Sequence, residues 1–393
     1  MRAVLYSHDG LGLGHVRRNL AIAAALKAAA HDASVVLATG WSELPEHWLP
    51  AGVDTVKLPA FRKLGNDEYG ARHLTLSRDE VRAMRSSLLE SLVQTFHPDV
   101  ILVDKHPLGV RGELRSALAV LRKQGGRAVL GLRDVLDDPA TVCEEWDRHG
   151  VPRMVLEHYD RVLVFGHPLI LDPIPDCKEA AAIRDRLAFC GYVRATELLE
   201  GVSEPHGARR SDPARPLVLA TAGGGEDGFG LLETFIAAAA RASWEGLVVT
   251  GPQCSPPHRA ALRQRAHAAG VRVFRFAEDL TRWFETVDAL VCMGGYNTLV
   301  EAVSRGTPTV CIPREHPRRE QFIRARAFAD LELLRTIDPH QLSVAQLRSA
   351  IEATLATPRN ELRPRAWNKL DFRGAERAAA ELIELSRPSV AAA

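Results

Sequence analysis

The sequence predicts an α/β protein built from two doubly wound, Rossmann-like parallel sheets facing a central cleft. Three observations predict it. Short apolar runs alternate with amphipathic stretches from end to end, most of those runs are continuous and β-branched, and a polar Pro/Gly-rich segment divides the chain near its middle. Continuous apolar runs suit strands covered on both faces, and in α/β proteins helices provide the cover. At 393 residues the chain exceeds what one core normally serves.

In the first half, strands are expected at Ala3–Ser7, Ser34–Ala38, Asp54–Lys57, Val100–Val103, Ala128–Leu132 and Arg161–Phe165. In the second they are expected at Leu217–Thr221, Gly246–Thr250, Val271–Phe274, Ala289–Cys292 and Thr309–Ile312. Helical patterns lie between them, which is the alternation of a doubly wound layer. The most apolar helix, "LAIAAALKAAA", is too short to span a bilayer and is interrupted by Lys27. Asp137 and Asp138 in "DDP" precede a helical pattern and read as a helix N-cap rather than a metal-binding pair. "GVSEPHGARRSDPARP", Gly201 to Pro216, lacks apolar periodicity and reads as a linker. It separates a domain at 1–200 from one at 217–370, and "GAERAAAELIEL" is an amphipathic helix within a closing segment at 371–388.

A formal net charge of +1 supplies no general attraction to nucleic acid or an anionic surface, so any anion must be held locally. The six cysteines form no Cys-x-x-Cys pair or close Cys/His cluster, and Cys190, Cys292 and Cys311 sit in strand-like runs as core residues. This scatter suits a reducing compartment. With no signal-peptide layout at the start, a cytoplasmic enzyme without cofactor or metal is expected. In "WSELPEHWLP", Trp41 and Trp48 are candidates for peripheral contact with a membrane or lipid acceptor, the alternative being that they pack.

The most informative stretch runs from Phe276 to Gln321. Here "DALVC" is a buried strand, "MGGYNT" a turn, and "TLVEAVSRG" a helix closed by Gly306. Gly294 and Gly295 allow close backbone approach, and Asn297 or Thr298 can cap the helix so that its N-terminal amides face an anion. Glu301, one turn in, can accept hydrogen bonds from a ribose diol. Earlier, "LATAGGGEDG" places Gly223, Gly224 and Gly225 between strand and helix as a backbone nest for a diphosphate. Glu226 and Asp227 follow, and because they would repel a diphosphate they are expected to point away.

This half resembles the donor-binding domain of GT-B nucleotide-sugar glycosyltransferases, in the branch of the peptidoglycan N-acetylglucosaminyltransferase and its predicted relatives. The resemblance implies that Gly294, Gly295, Thr298 and Glu301 hold diphosphate and ribose. It also implies that Phe276 and Ala277 in "FAEDL" lie beside a uracil base, and that Glu320 and Gln321 grip the sugar hydroxyls. The implied partners are a nucleotide-sugar donor, UDP-linked, and a hydroxyl acceptor, with the last helix crossing back to the first domain.

The opening motif fits the same family. "DGLGLGH" lacks the third glycine of a dinucleotide fingerprint, and the second strand ends in Thr39 and Gly40 rather than an acid. "GLGH" instead resembles the family's acceptor-facing Gly-x-Gly-Gly-His loop, with Gly12, Gly14 and His15 as the matching positions. A helix N-terminus disfavours imidazolium, so His15 is suited to remove the acceptor's proton. A partner carboxylate is expected from Asp104, at the end of "VILVD", or from Asp9. The loop Phe61–His73, with Phe61, Tyr69 and Arg72, is a candidate acceptor surface or a plain surface loop. The expected activity is inverting, metal-independent sugar transfer. A nucleotide-sugar hydrolase or epimerase, and a non-catalytic nucleotide-binding protein, are the alternatives.

Overall fold

The computed structural model describes residues 1–7, 13–41, 44, 48–65, 68–195, 207–277 and 280–387. The chain divides into two compact units, Met1–Glu200 with Arg373–Ala393, and Gly201–Phe372.

In the first unit the strands are β1 (Arg2–Ser7), β2 (Ser34–Thr39), β3 (Val53–Lys57), the hairpin β4 (Phe61–Gly65) and β5 (Glu68–Ala71), β6 (Val100–Asp104), β7 (Arg127–Arg133), β8 (Arg161–Phe165) and β9 (Leu187–Phe189). All but the hairpin form one sheet in the order β3-β2-β1-β6-β7-β8-β9. Every neighbouring pair in it is parallel. The second unit holds β10 (Leu217–Thr221), β11 (Glu245–Val249), β12 (Arg272–Phe274), β13 (Ala289–Cys292), β14 (Thr309–Cys311) and β15 (Arg335–Thr336), ordered β12-β11-β10-β13-β14-β15. This sheet too is wholly parallel.

The expected strands all form, each end within one residue of its expected place. The central ones are buried on both faces, as the continuous apolar runs require: β6 and β10 have no exposed residue, whereas the edge strand β3 leaves Asp54 and Lys57 exposed. In each sheet the winding reverses once, between β1 and β6 and between β10 and β13. Such switch points open a crevice at the carboxyl ends of the strands.

Several local expectations change. The stretch Phe61–His73 is largely the antiparallel hairpin, with Phe61 buried against Val81 and Val110. Trp48 is 1% exposed, under the Arg17 guanidinium, so it packs and offers nothing to a membrane. Trp41 is half-buried. Part of the expected linker is anchored chain. Arg210 Nη2 pairs with Asp288 at 2.7 Å, and the amides of Ser211 and Asp212 donate to the Glu245 carboxylate at 2.9 and 2.5 Å. These anchors are polar and distant in sequence, so apolar periodicity cannot reveal them. Residues 201–206 lie outside the described ones.

The last helix, Gly374–Ser386, buries Ala375, Ala378, Ala379 and Leu382 within the first unit. Its first residue must be small: a Cβ on Gly374 would lie 2.6 Å from the Tyr192 carbonyl carbon. Asp138 caps the helix Pro139–His149 by accepting from the Thr141 amide. Among the described residues, no helix is long and apolar enough to cross a membrane.

Candidate active site

In the first unit, the chain leaves β1 and enters the helix Leu13–Ala29, with Gly14 and His15 in its first turn. Gly12 and Asp9 lie outside the described residues. Across the switch point, β6 ends in Asp104, and the two side chains meet: His15 Nδ1 lies 2.9 Å from Asp104 Oδ2. They are 6% and 1% exposed. Arg18, one turn further along the helix, donates to both carboxylate oxygens at 2.7 and 2.5 Å. Its guanidinium also stacks 5.1 Å from the Phe165 ring centre.

These contacts decide the tautomer. Arg18 Nη2 also lies 2.8 Å from Nδ1, but the two protons of that nitrogen go to the two Asp104 oxygens. Asp104 is an acceptor, so the ring proton sits on Nδ1 and points to it. Nε2 then carries the lone pair, and Arg133 Nη2, from the end of β7, donates to it at 2.7 Å. Burial alone would raise the Asp104 carboxyl, yet Arg18 and then His15 outweigh it and hold the group well below the usual carboxylate range. The result is an imidazole held between one carboxylate and two guanidinium groups.

In the second unit, a cavity of about 170 Å³ opens at the other switch point. The turn Gly223–Gly225 after β10 forms one wall, with Gly295 and Thr298 after β13, Gln253, Arg314 and Gln321 around it. The glycines are required by space. Gly225 has φ +92°, and a Cβ there would sit 2.1 Å from the Thr250 carbonyl oxygen. The Gly223 amide turns to Thr221 Oγ1 and the Gly225 amide to the Ala222 carbonyl. Gly224 donates to no described residue, so of the expected nest one amide remains for a ligand.

Two sequence expectations are corrected here. The helix Tyr296–Ser304 has Gly295 as its N-cap, so Asn297 and Thr298 lie inside the first turn and neither caps it. Backbone torsions at the Gly-Gly turn start the helix earlier than side-chain preference suggests. Glu226 and Asp227 line the cavity rather than turning away. The Asp227 charge is offset by Arg314, whose Nη1 pairs with it at 2.5 Å and whose Nη2 lies 3.8 Å from Glu320.

Of the remaining predicted residues, Gln321 lines the cavity, whereas Gly294, Glu301, Phe276, Ala277 and Glu320 are not part of its wall. Gly294, φ +86°, sits behind it, where a Cβ would lie 3.1 Å from Cys311 Sγ. Glu301 is 2% exposed and ion-paired with Arg305, which also reaches Glu285 at 3.0 Å. Phe276 stands 43% exposed after β12, with Ala277 half-buried beside it. Gln321 Oε1 is buried and makes no hydrogen bond among the described residues. Sequence reasoning missed Arg18, Arg133, Gln253 and Arg314. Arg18 follows His15 by three residues on one helical face, and Arg133 and Arg314 closely follow or end predicted strands, so each had a positional signal.

Residues 236–382 match the model of the glycosyltransferase family 28 C-terminal domain. The chain is 24% identical over 340 residues to an uncharacterized glycosyltransferase of Methanosarcina mazei, covering 79% of each. It is 27% identical over 301 residues to a UDP-N-acetylglucosamine–N-acetylmuramyl-(pentapeptide) pyrophosphoryl-undecaprenol N-acetylglucosamine transferase of Corynebacterium efficiens, covering 73% of this chain and 79% of that one. Its fold is similar to the crystal structure of Acinetobacter baumannii MurG, with a TM-score of 0.60, 13% identity, and 98% and 100% of the two chains covered.

Proposed function

We propose that this chain, a glycosyltransferase of the GT-B fold, moves a hexosyl group from a UDP-linked donor to an acceptor hydroxyl, with inversion and without a metal ion. The observation that carries the reading is the buried 2.9 Å contact between His15 Nδ1 and Asp104, which leaves Nε2 as the base. The acceptor hydroxyl gives its proton to Nε2 as its oxygen bonds to the anomeric carbon. The bond from that carbon to the diphosphate oxygen breaks, and its electron pair leaves with the diphosphate. A single displacement inverts the centre, and Asp104 stabilises the imidazolium that forms.

Arg133 holds Nε2 before substrate arrives and opposes protonation of the ring. The acceptor hydroxyl takes its place. On the donor side, the Gly224 amide, the N-terminus of the helix Tyr296–Ser304 and the Arg314 guanidinium offer positive charge to the diphosphate. That is how leaving-group charge is met without metal. Glu301, paired with Arg305, is assigned to the ribose diol, Phe276 and Ala277 to the base, and Glu320 and Gln321 to the sugar. The uridine assignment rests on the family resemblance and on the donor named for the Corynebacterium efficiens relative.

Two measurements test this. Calorimetry should give the same UDP affinity for wild type and His15→Ala, while turnover of a labelled UDP-sugar pool with a screened acceptor falls by about 10²–10⁴-fold. Full turnover in that variant, or a product that keeps the donor's anomeric configuration, would sink the mechanism.

A further inference from the structure

The chain spacing of the cysteines predicts no metal cluster, yet the fold gathers two of them with a carboxylate. Cys143 and Asp147 are one turn apart on the helix Pro139–His149. Cys177 is the N-cap residue of the short helix Lys178–Ala181, in the segment after β8. Its amide donates to the Pro175 carbonyl at 2.9 Å, and its side chain packs against the first unit's core cluster. One ligand atom from each of Cys143, Asp147 and Cys177 lies within 4.8 Å of the other two. Both cysteines are half-buried and Asp147 is exposed, so solvent reaches the cluster.

The geometry points to a binding site for a borderline-soft divalent cation of the zinc class, held by Cys143, Cys177 and Asp147 with water completing four-coordination. Two sulfur donors select against magnesium and calcium, which take oxygen ligands. A lone pair of thiols would equally suit a disulfide, but the carboxylate within the same radius supplies a third ligand that a disulfide does not use. Each thiol loses its proton as its sulfur–metal bond forms, so loading releases protons and tightens as pH rises. The ion would clip the helix after β7 to the segment after β8 and stabilise the folded first unit by mass action.

Cobalt is the probe, added to the full-length reduced protein. The expected result is one equivalent bound with a thiolate-to-cobalt charge-transfer band and tetrahedral d–d bands, all displaced by zinc. Zinc should also raise the thermal unfolding midpoint. Cys143→Ser and Cys177→Ser should each remove the charge-transfer band, and Asp147→Asn should weaken cobalt binding by about tenfold or more. Unchanged far-ultraviolet circular dichroism in the variants separates loss of the site from loss of the fold. A reduced wild-type protein with no such band overturns the proposal, as does a band that survives the double Cys143→Ser/Cys177→Ser change. Formation of a Cys143–Cys177 disulfide under mild oxidation, in a protein that binds no cobalt when reduced, would overturn it in favour of a redox pair.

Discussion

At the scale of single residues, His15 is set by opposed charges. Asp104 favours its imidazolium, whereas Arg18 and Arg133 disfavour it, and all three lie within hydrogen-bond distance of the ring. Transfer should fall on the acid side as His15 protonates, and the two neighbours should move that limb in opposite directions. Arg133→Ala removes a positive charge, so protonation becomes easier and the limb moves to higher pH. Asp104→Asn removes a negative charge and moves it to lower pH. A pH–rate profile checks both, and limbs that move together would show that neither group acts on the base. Asp104→Asn has a second consequence, in stability. The Asp104 carboxyl is depressed in the folded state, so its contribution is present above the unfolded value of about 3.9 and is lost as pH falls below it. Urea denaturation should therefore find the variant less stable at neutral pH, with the gap to wild type closing under acid.

At the scale of elements, two features carry predictions. The first is a buried polar junction between β1, the helix Arg78–Phe96 and the loop before the helix Arg115–Lys123. Arg85 Nε and Nη2 donate to Glu113 at 2.5 and 2.7 Å, and the Tyr6 hydroxyl donates to the same carboxylate. All three residues are 0% exposed. Arg85 also stacks 5.0 Å from the Phe61 ring, tying the hairpin to this junction. Burial opposes the Arg85 charge but Glu113 more than restores it, raising the guanidinium above its usual value. Glu113→Ala strands that charge and should cost about 3–5 kcal/mol by chemical denaturation. The second feature is the β10 turn. Gly225→Ala forces a Cβ into the Thr250 carbonyl at φ +92°, which should cost about 1–3 kcal/mol of strain and weaken UDP binding. Gly230, in the following helix, has nothing within 4 Å of its absent Cβ, so Gly230→Ala should instead gain about 0.5–1 kcal/mol and leave UDP affinity alone. Equal effects at the two positions would remove the steric argument for the turn.

At the scale of the molecule, the chain's last helix belongs to the first unit although it follows the second in sequence. Arg161 pairs with Glu381 at 3.2 Å across that junction, and the Gly374 amide donates to the Tyr192 carbonyl at 3.0 Å. Truncation after Phe372 should therefore destabilise the first unit in calorimetry while the second keeps its UDP-dependent stabilisation. The same observation marks the boundary of what sequence reasoning reaches. β-branched apolar runs specify strands buried on both faces, because only that burial offsets the cost of ordering them, and so all but the last strand of each parallel sheet were legible. The short edge strands β9, half-buried, and β15, exposed along its length, carried no such signal. Gly223 to Gly225, Gly295 and His15 were legible because turns at strand ends demand particular residue types. Sequence alone left Asp104 and Asp9 as rival partners of His15, and could not bring Arg133, Gln253 or Arg314 to a site or Cys143 to Cys177. Those pairings join residues from separate strands and loops, and only the order of strands in each sheet, fixed by packing of the whole unit, decides which chain ends become neighbours.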